Sequence, residues 1–159
     1  MSDKGLKIDS NKKKVKELNF LYRNIRSIMN SQKMDELNIL LREEKVDILG
    51  ITESWTHEGI SNAEISFKEY NLYRTDRCSK SKTRGGGCLL YVKQELISSS
   101  IIYNEGSGSV WARVQLGNGG DIIVGVCYRN PTITREEEGK LFEAIKLASS
   151  SHCIVMGGL

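Results

Sequence analysis

Val46-Asp47-Ile48-Leu49-Gly50-Ile51-Thr52-Glu53-Ser54-Trp55 is the stretch on which the reading of this chain turns. Val46 to Thr52 reads as an apolar strand of the kind buried on both faces, with the acid Glu53 at its carboxyl end. Upstream, Leu18 to Asn24 reads as a first strand. Ser31 then opens a helix, with Asp35 and Glu36 in its first turn and Met34, Leu37, Leu40 and Leu41 at helical spacing. Downstream, Asn71 to Arg74, Cys88 to Val92, Ser100 to Tyr103, Val110 to Leu116 and Ile122 to Tyr128 are strand candidates. Val110, Ala112, Val114 and Leu116 alternate with Trp111, Arg113 and Gln115, which predicts one buried face. Asn118-Gly119-Gly120 joins this strand to the next as a hairpin. A second helix follows Pro131, opened by a Thr134/Glu137 capping box, with Leu141, Ile145 and Ala148 turned inward. Cys153 to Met156 is a last strand. The order is β-α-β, then antiparallel strands, then α-β, which fits a sheet-centred α/β sandwich better than a doubly wound parallel sheet.

Composition agrees with one folded domain. The 159 residues are 39% hydrophobic and 27% charged, a globular balance. A domain of this length buries roughly 70% of its unfolded surface. No apolar run is long enough to span a membrane, and the charged N-terminus is unlike a signal peptide. Four cysteines, Cys78, Cys88, Cys127 and Cys153, lie 10, 39 and 26 positions apart, and with His57 and His152 they complete no zinc-ligand set. Three of them sit in strand-like runs, where a thiol packs as a small hydrophobe. The expectation is a reducing, intracellular setting, nuclear or cytoplasmic rather than secreted.

The net charge of +3 is unevenly spread. Residues 1–30 carry eight Lys/Arg against three Asp/Glu, and residues 68–93 carry seven against two. Such patches steer a polyanion; solvated loops and a floppy tail account for them equally well. Residues 1–16, with Lys12-Lys13-Lys14 and Lys16, read as a disordered basic arm ahead of a domain over 17–159.

Three polar residues end apolar strands: Asn24, Glu53 and Tyr128. Ligands of open α/β sheets collect at strand carboxyl ends. There a carboxylate holds a hard cation, an amide positions phosphate or water, and a phenol donates to a phosphate oxygen. Each alone is weak, since a glutamate ending a strand is commonly a solvated turn residue.

Together the motifs say more. Asn24-Ile25-Arg26-Ser27, the Val46–Trp55 stretch, Arg84-Gly85-Gly86-Gly87-Cys88, Val124-Gly125-Val126-Cys127-Tyr128-Arg129 and Ile154-Val155-Met156-Gly157 follow one another in that order. The series resembles the endonuclease/exonuclease/phosphatase superfamily, and within it the apurinic-type endonuclease domain of non-LTR (LINE-like) retrotransposons. The resemblance runs from about Leu18 to Gly157, about the first two thirds of such a domain. It implies an α/β (α+β) fold, part of a four-layer sandwich of mixed, largely antiparallel sheets flanked by helices. It also implies Mg2+ (or Mn2+) as cofactor and DNA as partner, with no small-molecule cofactor. By the same resemblance Glu53 is the metal ligand, Asn24 orients the metal water and scissile phosphate, and Tyr128 hydrogen-bonds the phosphate. Arg26, Ser27, Arg84 and Arg129 are candidate nucleic-acid contacts. For Gly85–Gly87 a hairpin turn and a phosphate contact both stand.

The departures matter as much. The family's strand ends in Gly-Asp-x-Asn, whereas here Gly157 is followed by Gly158 and Leu159. No Ser-Asp-His segment follows, and His57 and His152 match neither position. The expectation is therefore an incomplete, inactive copy of a Mg2+-dependent DNA endonuclease, with one sheet of its sandwich left uncovered. The alternative is a non-catalytic nucleic-acid-binding or relic fragment of a transposon reading frame. Phosphoinositide phosphatases and sphingomyelinases share the Glu and Asn positions, but Asn24–Ser27 and Tyr128-Arg129 favour the retrotransposon group.

Overall fold

Every residue of strand β2 (Ile48–Thr52) is buried, as its apolar run requires. The computed structural model that shows this describes residues 17–77, 86–104 and 107–158. The arm expected over 1–16, Cys78, Arg84 and most of the 79–87 loop lie outside the described residues.

Strand β1 (Phe20–Asn24) lies parallel to β2, and helix α1 (Ser31–Glu43) is the crossover between them. The short helix α2 (Asn62–Ile65) follows β2. Strands β3 (Tyr70–Thr75) and β4 (Cys88–Lys93) complete an antiparallel extension, in the order β1-β2-β4-β3. The second sheet mirrors this plan. Strands β5 (Ser98–Ile101), β6 (Val110–Gln115) and β7 (Asp121–Tyr128) are antiparallel neighbours, joined at β6–β7 by the expected Asn118–Gly120 turn. Helix α3 (Arg135–Ala148) then crosses over to β8 (Cys153–Gly158), which pairs parallel with β7.

Alternation along the central strands builds three cores. Ile48, Leu90, Val92, Val114, Val124, Val126 and Met156 interdigitate between the sheets. Gly50 makes this possible in the middle of β2, because a Cβ there would lie 2.9 Å from Met156 Cε and 3.0 Å from Val126 Cγ2. Leu49 and Ile51, pointing the other way, meet Leu37 and Leu41 of α1. On the far side Trp111, Ile123 and Cys127 meet Leu141, Ala144 and Ala148 of α3.

Four layers result, and three expectations are corrected. No sheet is left bare, since α1 covers the outer face of one and α3 that of the other. Trp111, placed by strict alternation on an outward face, is only 2% exposed. It is buried because α3 covers that face and because Gly125 on β7 leaves room; a Cβ at Gly125 would lie 2.3 Å from the indole ring. A smaller correction concerns α1, whose cap is Asn30, accepting from Lys33 N at 3.2 Å, with no acid in the first turn. The Thr134/Glu137 capping box of α3 forms as expected. Among the described residues no helix is long and apolar enough to cross a membrane.

Candidate functional site

Parallel pairing places the carboxyl ends of β1 and β2 side by side, with Asn24 opposite Thr52. The chain beyond each strand is then stitched to the other. Ile25 N donates to Thr52 O at 3.2 Å, Ser27 N to Glu53 O at 2.8 Å, and Ile28 N to Ser54 O at 2.9 Å. On the opposite side Ser54 N donates to Gly87 O at 3.2 Å and Trp55 N to Gly86 O at 3.0 Å. Glu53 therefore sits in a turn held from both flanks.

Both turns are strained. Arg26 (φ 48°), Ser27 (φ 86°), Glu53 (φ 57°) and Trp55 (φ 59°) all occupy left-handed backbone. That conformation is costly for residues with a side chain, and persists only where the surroundings over-determine it. Here the determinants are named groups. Ile28 and Ser54 are fully buried, and Lys33 of α1 donates its ammonium to Ile25 O at 2.5 Å and Arg26 O at 2.9 Å. Gly87 (φ +87°) permits the close approach from β4, since a Cβ there would fall 2.4 Å from Ser54 Oγ. Gly86 and Gly87 thus extend the β2–β4 pairing and act through their backbone.

The carboxylate of Glu53 is half-buried, and its Oε2 accepts from Trp55 Nε1 at 2.8 Å. Tyr128, at the end of β7 in the other sheet, reaches the same carboxylate. Its pKa is pushed up to about 12, first by burial, then by hydrogen bonding to Glu53 and by the Glu53 charge, with Arg26 working in the opposite direction. The phenol is therefore a protonated donor across the neutral range. Nearby, Tyr22 OH and Thr52 Oγ1 share a hydrogen bond at 2.6 Å. Asn24 is exposed at the rim, with no hydrogen-bond partner for its amide among the described residues.

Asn24, Glu53, Tyr128 and Arg26 are thus drawn to one edge of the sandwich. Other candidates are otherwise engaged. Ser27 Oγ accepts from Met29 N at 3.3 Å, and Arg129 donates to Glu138 Oε2 at 2.7 Å across the start of α3. Neither histidine joins them: His57 Nδ1 accepts from Gly59 N at 3.1 Å, and His152 lies before β8, at the end far from Gly158. Sequence reasoning gave no role to Trp55 or Lys33. The available signal for Trp55 was its indole N–H, a polar handle that seeks a partner when partly buried. Lys33 carried no comparable signal, since its targets are carbonyls of a turn that exists only in the fold.

Among the described residues no three His, Cys, Asp or Glu side chains are grouped to hold a metal. What the site offers is one carboxylate and one amide oxygen. That set suits a hard cation that keeps most of its water, as Mg2+ does. The described thiols have no part in it. Cys88 and Cys127 are buried, and burial pushes both upward, Cys127 to about 12.

Comparison with known proteins follows the same line. The family model described as "Endonuclease/Exonuclease/phosphatase family" matches residues 24–159. No curated protein matches the chain in sequence. Among solved structures, the endonuclease domain of TRAS1, a telomere-specific non-LTR retrotransposon, superposes with a TM-score of 0.62 at 12% identity. The match covers 89% of this chain and 58% of that one. AP endonuclease LMAP from Leishmania major gives 0.66 at 15% identity, over 88% of this chain and 54% of that one. The mannosyl-6-phosphatase Bt3783 of Bacteroides thetaiotaomicron gives 0.57 at 12%, over 89% and 64%. The chain therefore spans less than two thirds of each, and at such identities the likeness establishes the fold alone.

Proposed function

The chain belongs to the endonuclease/exonuclease/phosphatase family, and from that premise we propose that its Asn24–Glu53–Tyr128 edge is the cation- and phosphate-holding half of a DNA phosphodiesterase site of the retrotransposon-endonuclease kind. One observation carries the reading: two strained turns and a strand from the opposite sheet converge on a single carboxylate. Backbone strain held this firmly collects at functional sites. The substrate class rests on Asn24-Ile25-Arg26-Ser27 and Tyr128-Arg129, the two segments most like the retrotransposon group.

Glu53 and Asn24 would hold the Mg2+, which when bound supplies positive charge to the phosphate and its leaving oxygen. Tyr128 keeps its proton and would turn it from Glu53 to a non-bridging phosphate oxygen. Arg26, exposed beside the phenol, adds a cation for the neighbouring backbone phosphate. Among the described residues, none of these groups is a base for water: the carboxylate is committed to indole and cation, and the phenol is too weak an acid to serve. We infer that a polypeptide of these 159 residues binds Mg2+ and DNA while hydrolysing little. A missing general base costs about 10²–10⁴ in rate.

Fluorescence anisotropy with a labelled DNA duplex tests the binding half. Affinity is expected to fall steeply with salt and to gain severalfold when EDTA is replaced by Mg2+, a gain absent from Glu53→Gln. An equal Mg2+ gain in the variant would remove Glu53 from the role assigned to it.

A further inference from the structure

We propose that Trp55 is a positioning residue of this site: its indole N–H holds Oε2 of Glu53 and so presents Oε1 to a divalent cation. The proposal rests on the reading of Glu53 as the cation ligand and adds a part that reading does not contain.

The geometry supports it in three steps. First, the bond is short and charge-assisted: Nε1 donates to Oε2 at 2.8 Å. Second, it is expensive to arrange. Both its residues are left-handed, at φ 57° and 59°, although Trp55 is only half-buried and water would serve its N–H at no conformational cost. Third, the arrangement is anchored independently of the bond itself. Gly86 and Gly87 carbonyls hold the amides of residues 55 and 54, while Ser54 and Thr56 are fully buried with their hydroxyls 2.9 Å apart. The backbone that carries the indole is thus held independently of the bond, and the indole N–H in turn holds one oxygen of the carboxylate.

Fixing it matters because glutamate is among the side chains that lose most freedom on being ordered. Among the described residues the site has no second carboxylate to share that loss. A partner that orients a metal-binding carboxylate commonly accounts for 10–100-fold in affinity.

Two measurements on the 159-residue protein test this. The chain has two tryptophans, Trp55 and Trp111. The Trp111 N–H donates to Ser109 Oγ in the core at 2.8 Å and serves as the internal control. In a nitrogen–proton correlation spectrum, Mg2+ is expected to shift the Trp55 indole peak, leave Trp111 in place, and move neither in Glu53→Gln. In calorimetric titration with Mn2+, Trp55→Phe keeps the ring, loses the N–H, and is expected to bind about 10-fold more weakly. Unchanged Mn2+ affinity in Trp55→Phe, with binding abolished in Glu53→Gln, would overturn the positioning role and leave the Glu53 reading standing. Wild-type Mn2+ affinity in Glu53→Gln would remove both. Should Trp55→Phe fail to fold, the wild-type spectrum decides: a Trp55 peak indifferent to Mg2+, under conditions where Mn2+ binding saturates and needs Glu53, overturns the proposal.

Discussion

Gly87 is a single residue on which the shape of the Glu53 turn depends. Its φ of +87° is left-handed, and an added methyl would lie 2.4 Å from the buried Ser54 hydroxyl. Gly87→Ala is therefore expected to lower stability by about 1–3 kcal/mol and to weaken Mn2+ binding, read by urea unfolding and calorimetry. Normal stability with normal binding would mean that the turn tolerates looseness. Lys33 does related work from a distance, its ammonium bridging the carbonyls of Ile25 and Arg26. Lys33→Met leaves both carbonyls short of a donor, with an expected loss of about 1–3 kcal/mol. Tyr128 supplies a pH signature. Its folded-state pKa, near 12, lies above the ordinary value of 10. The unfolded chain thus ionises first, so this contribution to stability is complete below pH 10 and is lost as pH rises from 10 towards 12. Stability against pH for wild type and Tyr128→Phe should diverge in that window, and coincident curves would refute the shift.

The elements divide into those legible in sequence and those not. Strands β1, β2, β4, β6 and β7 announce themselves by apolar runs or alternation, and α3 by its capping box and Leu141/Ala148 spacing. The short helix α2 went unread, because four residues carry too little periodicity to separate it from loop. The burial of Trp111 was misread for a related reason. Alternation reports one covered face, while the cover on the other comes from α3, 24 residues further along the chain. At the site, the ends of β1, β2 and β7 were placed by pattern alone. The left-handed turns were not, since neither Glu53 nor Trp55 is a residue type that favours φ > 0. Trp111→Ala tests the element-scale account. Removing the side chain that joins β6 and Gly125 to α3 is expected to cost about 3–5 kcal/mol. A loss under 1 kcal/mol would mean that α3 is held by other contacts.

At the scale of the molecule, the two sheets follow one plan. Each has a parallel pair closed by a helical crossover and extended by antiparallel strands, and each helix covers its own sheet. Packing the sheets face to face carries Tyr128 of one to Glu53 of the other, so the site exists only when the sandwich is closed. Among the described residues that closed edge brings together one carboxylate, one amide and one phenol, with no cluster of three metal-ligating side chains. The central claim of the proposal is that the Glu53 edge holds Mg2+ and DNA and that the groups described there cut DNA poorly. A plasmid-nicking assay in Mg2+ tests it most directly, with Glu53→Ala purified in parallel. The account predicts that wild type nicks no faster than Glu53→Ala; robust nicking by the wild type that disappears in Glu53→Ala would contradict it.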